Sequence, residues 1–331
     1  MILLLGATGL LGHNVLKLLL QKGYRVRVIV REGSVIDQEV LACAAPGQIS
    51  VVRGSVEDRK LLMSNLWGCG VAVNCSGTTD MSLTHLDDYI PINAELPATL
   101  ARLMLETGGR TLIHVSSANT VDPGTVDKAS DENTAFGGPF AGSLYARSKR
   151  EGEMRLLEFA ENHPDLRTVI LLPGFMIGPY DMKPSSGKLL LSAYRKPLMA
   201  APKGGKSFID VRDVASAVLG AIVNPAARGR YLTTGTSLSL QAFFALQANV
   251  CGYKQAFIQL PRKLCLTVGA LGDRIESHGH KNMATSRNVR QLLIEEYYDN
   301  TRARTELGMD LSPLDGAIRD FFADYERRRN S

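Results

Sequence analysis

Residues 2–5 form a run of four apolar side chains with no polar position between them. A strand on the surface of a sheet alternates apolar and polar residues, so an unbroken run points to a parallel strand covered on both faces. A glycine-rich turn follows, then a helical pattern that stops at Lys22, where Gly23 supplies the C-terminal signal. Residues 24–30, rich in valine, read as a second strand. Further apolar strands are expected at 49–52, 71–74, 112–115 and 169–172, with helical periodicity between them, for example from Glu95 to Leu105. Alternating strands and helices of this kind predict an α/β protein built on a doubly wound parallel sheet.

The pattern loosens after Pro173. Gly, Pro and Lys are frequent between Gly178 and Lys206, a strand and helix follow from Phe208 to Val223, and from about Leu240 the sequence reads as mainly helical. The expected organisation is therefore discontinuous. Residues 1–172 with about 207–236 form the sheet domain, and about 173–206 with 237–331 form a smaller, mainly helical substrate lobe over the C-terminal edge of the sheet. Within that lobe Leu264, Leu266, Val268 and Leu271 read as the core side of a helix, the other option being the lining of an apolar pocket.

Composition narrows the function classes. Of 331 residues 45% are hydrophobic and 21% charged, as in an ordinary globular protein, and the net charge is +5. The cations are scattered, so no nucleic-acid partner is expected, and the run Arg327 to Arg329 reads as a solvated helix end. Gly6 interrupts the first apolar run and no charged leader precedes it, so that run is not expected to act as a signal peptide. No segment approaches the roughly 20 apolar residues of a membrane span, and no membrane partner is expected. Five widely spaced cysteines suggest reduced thiols and a cytoplasmic location. No metal site is expected, since His278 and His280 lack supporting ligands.

The turn Gly6-Ala7-Thr8-Gly9-Leu10-Leu11-Gly12 lies between the first strand and the first helix. Glycines there permit a tight turn and let backbone N–H groups approach a pyrophosphate, while the helix N-terminus adds its positive dipole end. At the start of a βαβ unit this pattern marks a Rossmann dinucleotide site. The second strand ends in Val30-Arg31-Glu32-Gly33-Ser34. Arg31, with a second hydrogen bond from Ser34, suits the 2′-phosphate of NADP; the other reading gives the ribose to Glu32 and leaves NAD as the cofactor.

Tyr145-Ala146-Arg147-Ser148-Lys149 places a tyrosine and a lysine on one helix face. A phenol titrates near 10 (about 10 in model peptides), and an adjacent ammonium with a cationic nicotinamide would favour its phenolate form. Lys149 also has the reach to hydrogen-bond the nicotinamide ribose. Upstream, a buried strand ends in Ser116-Ser117-Ala118, where a serine can hydrogen-bond a carbonyl oxygen as charge develops. Downstream, the turn-rich segment from Pro173 to Pro179 borders the expected nicotinamide position, and Tyr180 and Asp181 either face substrate or serve the turn.

In this order GATGLLG, HVSSA, YARSK and LPGFMIGP resemble the extended short-chain dehydrogenases/reductases, and the likeness continues through Phe208 to Ala215, Tyr297-Tyr298-Asp299 and Leu307-Gly308. The dihydroflavonol-4-reductase-like members are nearest in character. The resemblance implies that Ser117 is the catalytic serine, Tyr145 the proton donor and Lys149 its tuner and ribose ligand. It implies a dinucleotide held by Gly6, Thr8, Gly9, Leu10, Leu11, Gly12, Arg31, Ser34, Ser76, Tyr145, Lys149 and Pro173. Asn93 either supports the site or caps a helix. Ser55, with Asp58 three residues on, stands where many members carry a Gly-Asp pair beside the adenine, and Cys75 and Ser76 are unusual at the fourth strand end. The leading expectation is an NADP(H)-dependent reductase of a ketone or aldehyde, with a small-molecule carbonyl or alcohol substrate. An NAD-dependent nucleotide-sugar epimerase or dehydratase shares these motifs, and a non-catalytic dinucleotide sensor would typically lack Tyr145 or Lys149. The family often dimerises through a four-helix arrangement that includes the YxxxK helix, which makes a homodimer one expectation.

Overall fold

The computed structural model describes residues 1–80, 82–182, 186–276 and 285–329; His278 and His280 lie outside them. The strands in chain order are β1 Ile2–Leu5, β2 Val26–Val30, β3 Ile49–Arg53, β4 Val71–Asn74, β5 Thr111–Val115, β6 Arg167–Pro173, β7 Phe175–Ile177, β8 Leu198–Ala201, β9 Gly205–Asp210, β10 Gly229–Thr233, β11 Thr236–Ser239, β12 Ala256–Gln259 and β13 Glu295–Glu296. Seven of them form one parallel sheet in the order β10-β6-β5-β4-β1-β2-β3. The order reverses beside β1, and the crevice there, at the C-terminal strand ends, is where open α/β sheets bind ligands.

The helices are α1 Leu10–Gln21, α2 Gln38–Leu41, α3 Arg59–Leu66, α4 Leu96–Glu106, α5 Leu144–Asn162, α6 Gly187–Ala193, α7 Val211–Val223, α8 Leu240–Val250, α9 Arg262–Glu276, α10 Ser286–Leu292, α11 Thr301–Leu307 and α12 Leu314–Arg329. The unbroken apolar run of β1 now has its reason. Ile2 and Leu4 enter a core with α1, α7 and α11, whereas Leu3 and Leu5 enter a second core with α3, α4 and α5. A third cluster gathers Leu190, Phe208, Phe243, Phe244, Ile318 and Phe321, with the Phe208 and Phe243 rings stacked at 3.9 Å. Strand β9 joins two of these cores, because Phe208 packs in the third and its neighbour Ile209 in the first. Around β9 lie β7, β11 and β13, and β8 pairs with β12. These strands have two to six residues each, too short for a period to show in the sequence.

Two expectations are corrected. Helix α9 does not turn Leu264, Val268 and Leu271 toward a core; all three are exposed, and Leu266 is half-buried. Its inward side is instead Cys265, Gly269 and Gly272. The basic C-terminal run is also not simply solvated. Arg327 pairs with Asp37 at 2.9 Å and Asp324 at 2.7 Å, and Arg328 pairs with Asp324, while Arg329 is exposed.

Helix α7 packs so closely on the end of α11 that a methyl at Gly220 would lie 1.9 Å from the Leu307 carbonyl oxygen. Backbone cannot yield as a flexible side chain can. Gly220→Ala is therefore expected to cost about 2–3 kcal/mol, read as a lower urea midpoint with an unchanged slope.

Candidate active site

The β1–α1 turn closes on itself. Gly6 has φ +75° and accepts the Gly9 N–H at 3.0 Å. A methyl at Gly12 would lie 1.9 Å from the Gly6 oxygen, and one at Gly6 would lie 2.6 Å from the Cys75 carbonyl carbon. Helix α1 begins at Leu10 with no side-chain cap and no acid in its first turn, and its first internal bond is from His13 N–H to Gly9 oxygen at 2.9 Å. The N–H groups ahead of His13 are thus aimed outward for an anion. Thr8 and Leu10 are half-buried beside them, whereas the Leu11 side chain belongs to the first core and offers only its backbone.

Beneath the turn sits His13, which the sequence reading missed. Its Nδ1 faces the Gly9 oxygen at 3.2 Å and its Nε2 accepts the Asp37 N–H at 3.2 Å, so the proton belongs on Nδ1. Burial pushes the imidazole below its ordinary value, keeping it neutral. Asp37 in turn caps α2 through Glu39 N–H at 2.9 Å and binds Arg327. No isolated motif announces a histidine that works through backbone groups on two loops.

Arg31 stands exposed at the end of β2, where a turn returns the Ser34 N–H to the Arg31 oxygen at 3.0 Å. Arg53, unsuspected from the sequence, lies opposite Val30 in the β2–β3 register and donates to the Ser34 oxygen at 3.2 Å. Two guanidinium groups therefore flank this loop. Asp58 is a helix cap for α3, accepting from Lys60 and Leu61 N–H groups at 2.9 and 3.1 Å, and Ser55 bonds Glu57.

The segment after β4 links the glycine turn to the tyrosine helix. Asn74 accepts the Ser76 N–H at 3.0 Å while its amide meets His114. Cys75 is held against Gly6, and its thiol is pushed up to about 12 by burial, so it is not a nucleophile at neutral pH. At Gly77 a methyl would lie 2.9 Å from Lys149 Nζ. Asn93 pins the next residue: its side chain accepts the Thr78 N–H at 2.9 Å and donates to the Thr78 oxygen and Ser148, each at 3.0 Å. It sits fully buried inside a π-helical turn, Ile90–Glu95, and its side chain fixes this loop rather than capping a helix.

The two serines after β5 separate by role. Ser116 donates to the buried carboxylate of Glu153. Ser117 accepts the Asn119 N–H at 3.2 Å and hydrogen-bonds Tyr145. Tyr145 lies in the first turn of α5, which Ser143 caps. Burial holds its hydroxyl above the ordinary phenol value, with the Ser117 bond opposing. One turn on, Lys149 donates to the Val115 oxygen at 3.1 Å; burial brings its amine down to about 8, against the attraction of Glu153 and Cys75. Glu153, unread in the sequence, has no exposed surface and pairs with Arg230 of β10 at 2.9 Å and Arg150 at 3.6 Å. A buried carboxylate needs such partners.

Ser117, Tyr145 and Pro173 line a pocket of about 390 Å³, together with Phe175, Leu189, Leu292 and the buried ion pair Lys206–Glu296. Tyr298 also lines it, and its buried hydroxyl has no hydrogen-bond partner among the described residues. Tyr180 and Asp181 are elsewhere. The Tyr180 hydroxyl meets Lys17 at 2.9 Å and its N–H meets Asp324, while Asp181 accepts the Gly187 N–H at 2.9 Å. Both serve structure. Among the described residues no cluster of His, Cys, Asp and Glu is arranged to hold a metal ion, and no helix is long and apolar enough to cross a membrane.

Comparison with known proteins agrees with this geometry. Residues 2–232 match the model of the NAD dependent epimerase/dehydratase family. The chain is 25% identical to sterol demethylase protein B of Methylococcus capsulatus, over 98% of each chain. It is 26% identical to a putative dihydroflavonol 4-reductase of Synechocystis, covering 95% of this chain and 91% of the relative. The crystal structure of gox2253 shares the fold, with a TM-score of 0.82 at 22% identity over 99% of this chain and 98% of that one. The chain belongs to the NAD dependent epimerase/dehydratase family and is an enzyme of the extended short-chain dehydrogenase/reductase class.

Proposed function

We propose that the enzyme is an NADPH-dependent reductase of a ketone or aldehyde. The observation that carries this reading is the segment from Cys75 to Gly77, which packs on the Gly6 turn at one end and on Lys149 at the other. A dinucleotide with its pyrophosphate at the start of α1 would run along that segment toward Tyr145. Residues 1–172 with about 207–236 would hold it, and about 173–206 with 237–331 would close over the substrate.

The residues fit such a cofactor. An uncapped helix start receives the pyrophosphate, Thr8 and Ser76 supply polar contacts, and Lys149 and Pro173 border the nicotinamide end. Arg31 and Arg53, with Ser34 between them, favour the extra charge of a 2′-phosphate. When bound, the reduced nicotinamide supplies a hydride. The chain's own part is proton management. Ser117 donates a hydrogen bond to the carbonyl oxygen, and Tyr145 transfers its phenolic proton to that oxygen as the alcohol forms. The raised Tyr145 value keeps that proton in place at neutral pH. Lys149, largely charged below about 8, stabilises the phenolate left behind, and Glu153 prevents burial from lowering the amine further. Pocket walls of Phe175, Leu189 and Leu292 suit a largely apolar substrate body, and the unpartnered Tyr298 hydroxyl suits one polar group on it. The names of the relatives, a dihydroflavonol reductase and a protein of sterol demethylation, agree with this substrate character.

NADPH oxidation measured over aldehydes, ketones, sterols and sugar nucleotides is the direct test. Tyr145→Phe should retain the NADPH dissociation constant and lower turnover by about 10³-fold; equal turnover removes Tyr145 as the acid. Stoichiometric NAD retained through purification, with turnover confined to sugar nucleotides, would replace the reductase by an epimerase or dehydratase. Binding titrations should show NADPH tighter than NADH. Arg31→Ala and Arg53→Ala should each weaken NADPH by about tenfold and leave NADH unchanged. Tighter NADH binding in the native enzyme overturns the cofactor assignment.

A further inference from the structure

Helix α9 presents its apolar side to solvent. Leu264, Val268, Leu271 and Ile275 recur at helical spacing along one stripe, and each is between 41 and 58% exposed. The buried stripe is the small one. Cys265, Gly269 and Gly272 face inward, and Gly269 lies so close to α10 that a methyl there would sit 2.8 Å from the Ser286 Cα. A surface helix ordinarily buries its large aliphatic side chains, so this arrangement leaves a face in need of an apolar partner.

The pattern continues on the ribbon that precedes the helix. Strands β8 and β12 pair with Leu198 opposite Ala256 and Ala200 opposite Ile258, which places Leu198 and Ile258 on one exposed face. Arg195, Lys196, Lys254, Arg262 and Lys263 are exposed around these apolar residues. The sequence contains no Asp or Glu between Asp181 and Asp210, and none between Asp213 and Asp273. The chain as a whole carries 38 basic and 33 acidic residues, so these two stretches are locally basic; the acids beside them are Asp273, which accepts the Ser286 N–H at 2.9 Å, Glu276 at the end of α9, and Glu326 near Tyr194.

From this pairing of aliphatic stripe and basic border we infer that the α9 face docks on an anionic phospholipid surface. The aliphatic side chains enter the acyl boundary and the cations meet lipid phosphates. A second copy of the chain would bring the same cations together, and a nucleic acid would leave the aliphatic stripe in water. The sequence expectation of no membrane partner rested on the lack of a spanning segment, which does not bear on a helix lying in the interface. Helix α10, on which α9 packs, contributes Gln291 and Leu292 to the pocket, so the docking face and the pocket share an element.

The test is sedimentation of the full chain with vesicles of phosphatidylcholine alone, or of an equal mixture with phosphatidylglycerol, at low and high salt. The mixed vesicles should bind at least about tenfold more protein at low salt. A Leu264→Ser, Leu271→Ser double variant should lose about tenfold of that binding while keeping its far-ultraviolet circular dichroism and unfolding midpoint. A Lys254→Gln, Arg262→Gln, Lys263→Gln variant should lose the preference for phosphatidylglycerol. Absence of binding to mixed vesicles overturns the inference, as does undiminished binding by the leucine variant. Light scattering that shows a dimer in the native protein and a monomer in the leucine variant also overturns it, by assigning the face to a second copy.

Discussion

At the centre of this enzyme the β1–α1 turn and the segment after β4 meet main chain to main chain, with no room for a side chain between them. Gly6 rests against the Cys75–Ser76 peptide, Gly12 against the Gly6 carbonyl, and Gly77 against the ammonium of Lys149. Because β1 lies between β2 and β4, the turn that follows it borders the ends of both. The segment after β4 is therefore set against the first helix by main-chain contact, and its far end, Gly77, lies against the Lys149 side chain. A single methyl at Gly6 or Gly12 would push backbone from backbone, whereas one at Gly77 meets the movable end of a lysine.

Around that contact the chain arranges charge in two different ways. The buried Glu153 and Lys149, with the half-buried Arg230 and Arg150, form a charged group on the tyrosine helix and β10, where the buried carboxylate makes its partners necessary. Ser116 is committed to this group, which leaves Ser117 as the serine that meets Tyr145. Arg31 and Arg53 stand at the surface and hold no buried carboxylate. One set fixes geometry, and the other is available to an incoming anion.

How much of this was legible in the sequence follows from distance along the chain. The glycine turn, the serine strand and the tyrosine helix are each local, so their order along the chain and the family resemblance brought them forward, and the all-apolar β1 revealed a sheet covered on both faces. Arg53 escaped notice because its importance comes from lying beside Val30 across a strand pair. Glu153 falls at helical spacing from Lys149, yet its partner Arg230 comes from the opposite end of the domain sequence, and no local pattern joins them. Helix α9 misled for another reason. Periodicity shows that a helix has an apolar stripe but not which stripe the fold turns inward, and here Gly269 decided it by allowing α10 to approach. The C-terminal arginines look like an ordinary polar helix end until Asp37 is placed beside them.

That last pair has a temporal side. Arg327 and Asp37 are 290 positions apart, so the loop after β2 obtains its ion pair only when the last helix has been synthesised. The first βαβ unit is built from short-range contacts and can assemble while the ribosome is still adding residues. Until Arg327 arrives, the Asp37 carboxylate that organises this loop remains without it, beside a histidine kept neutral by burial. The order of synthesis thus places completion of the loop after β2 later than formation of the sheet that carries it.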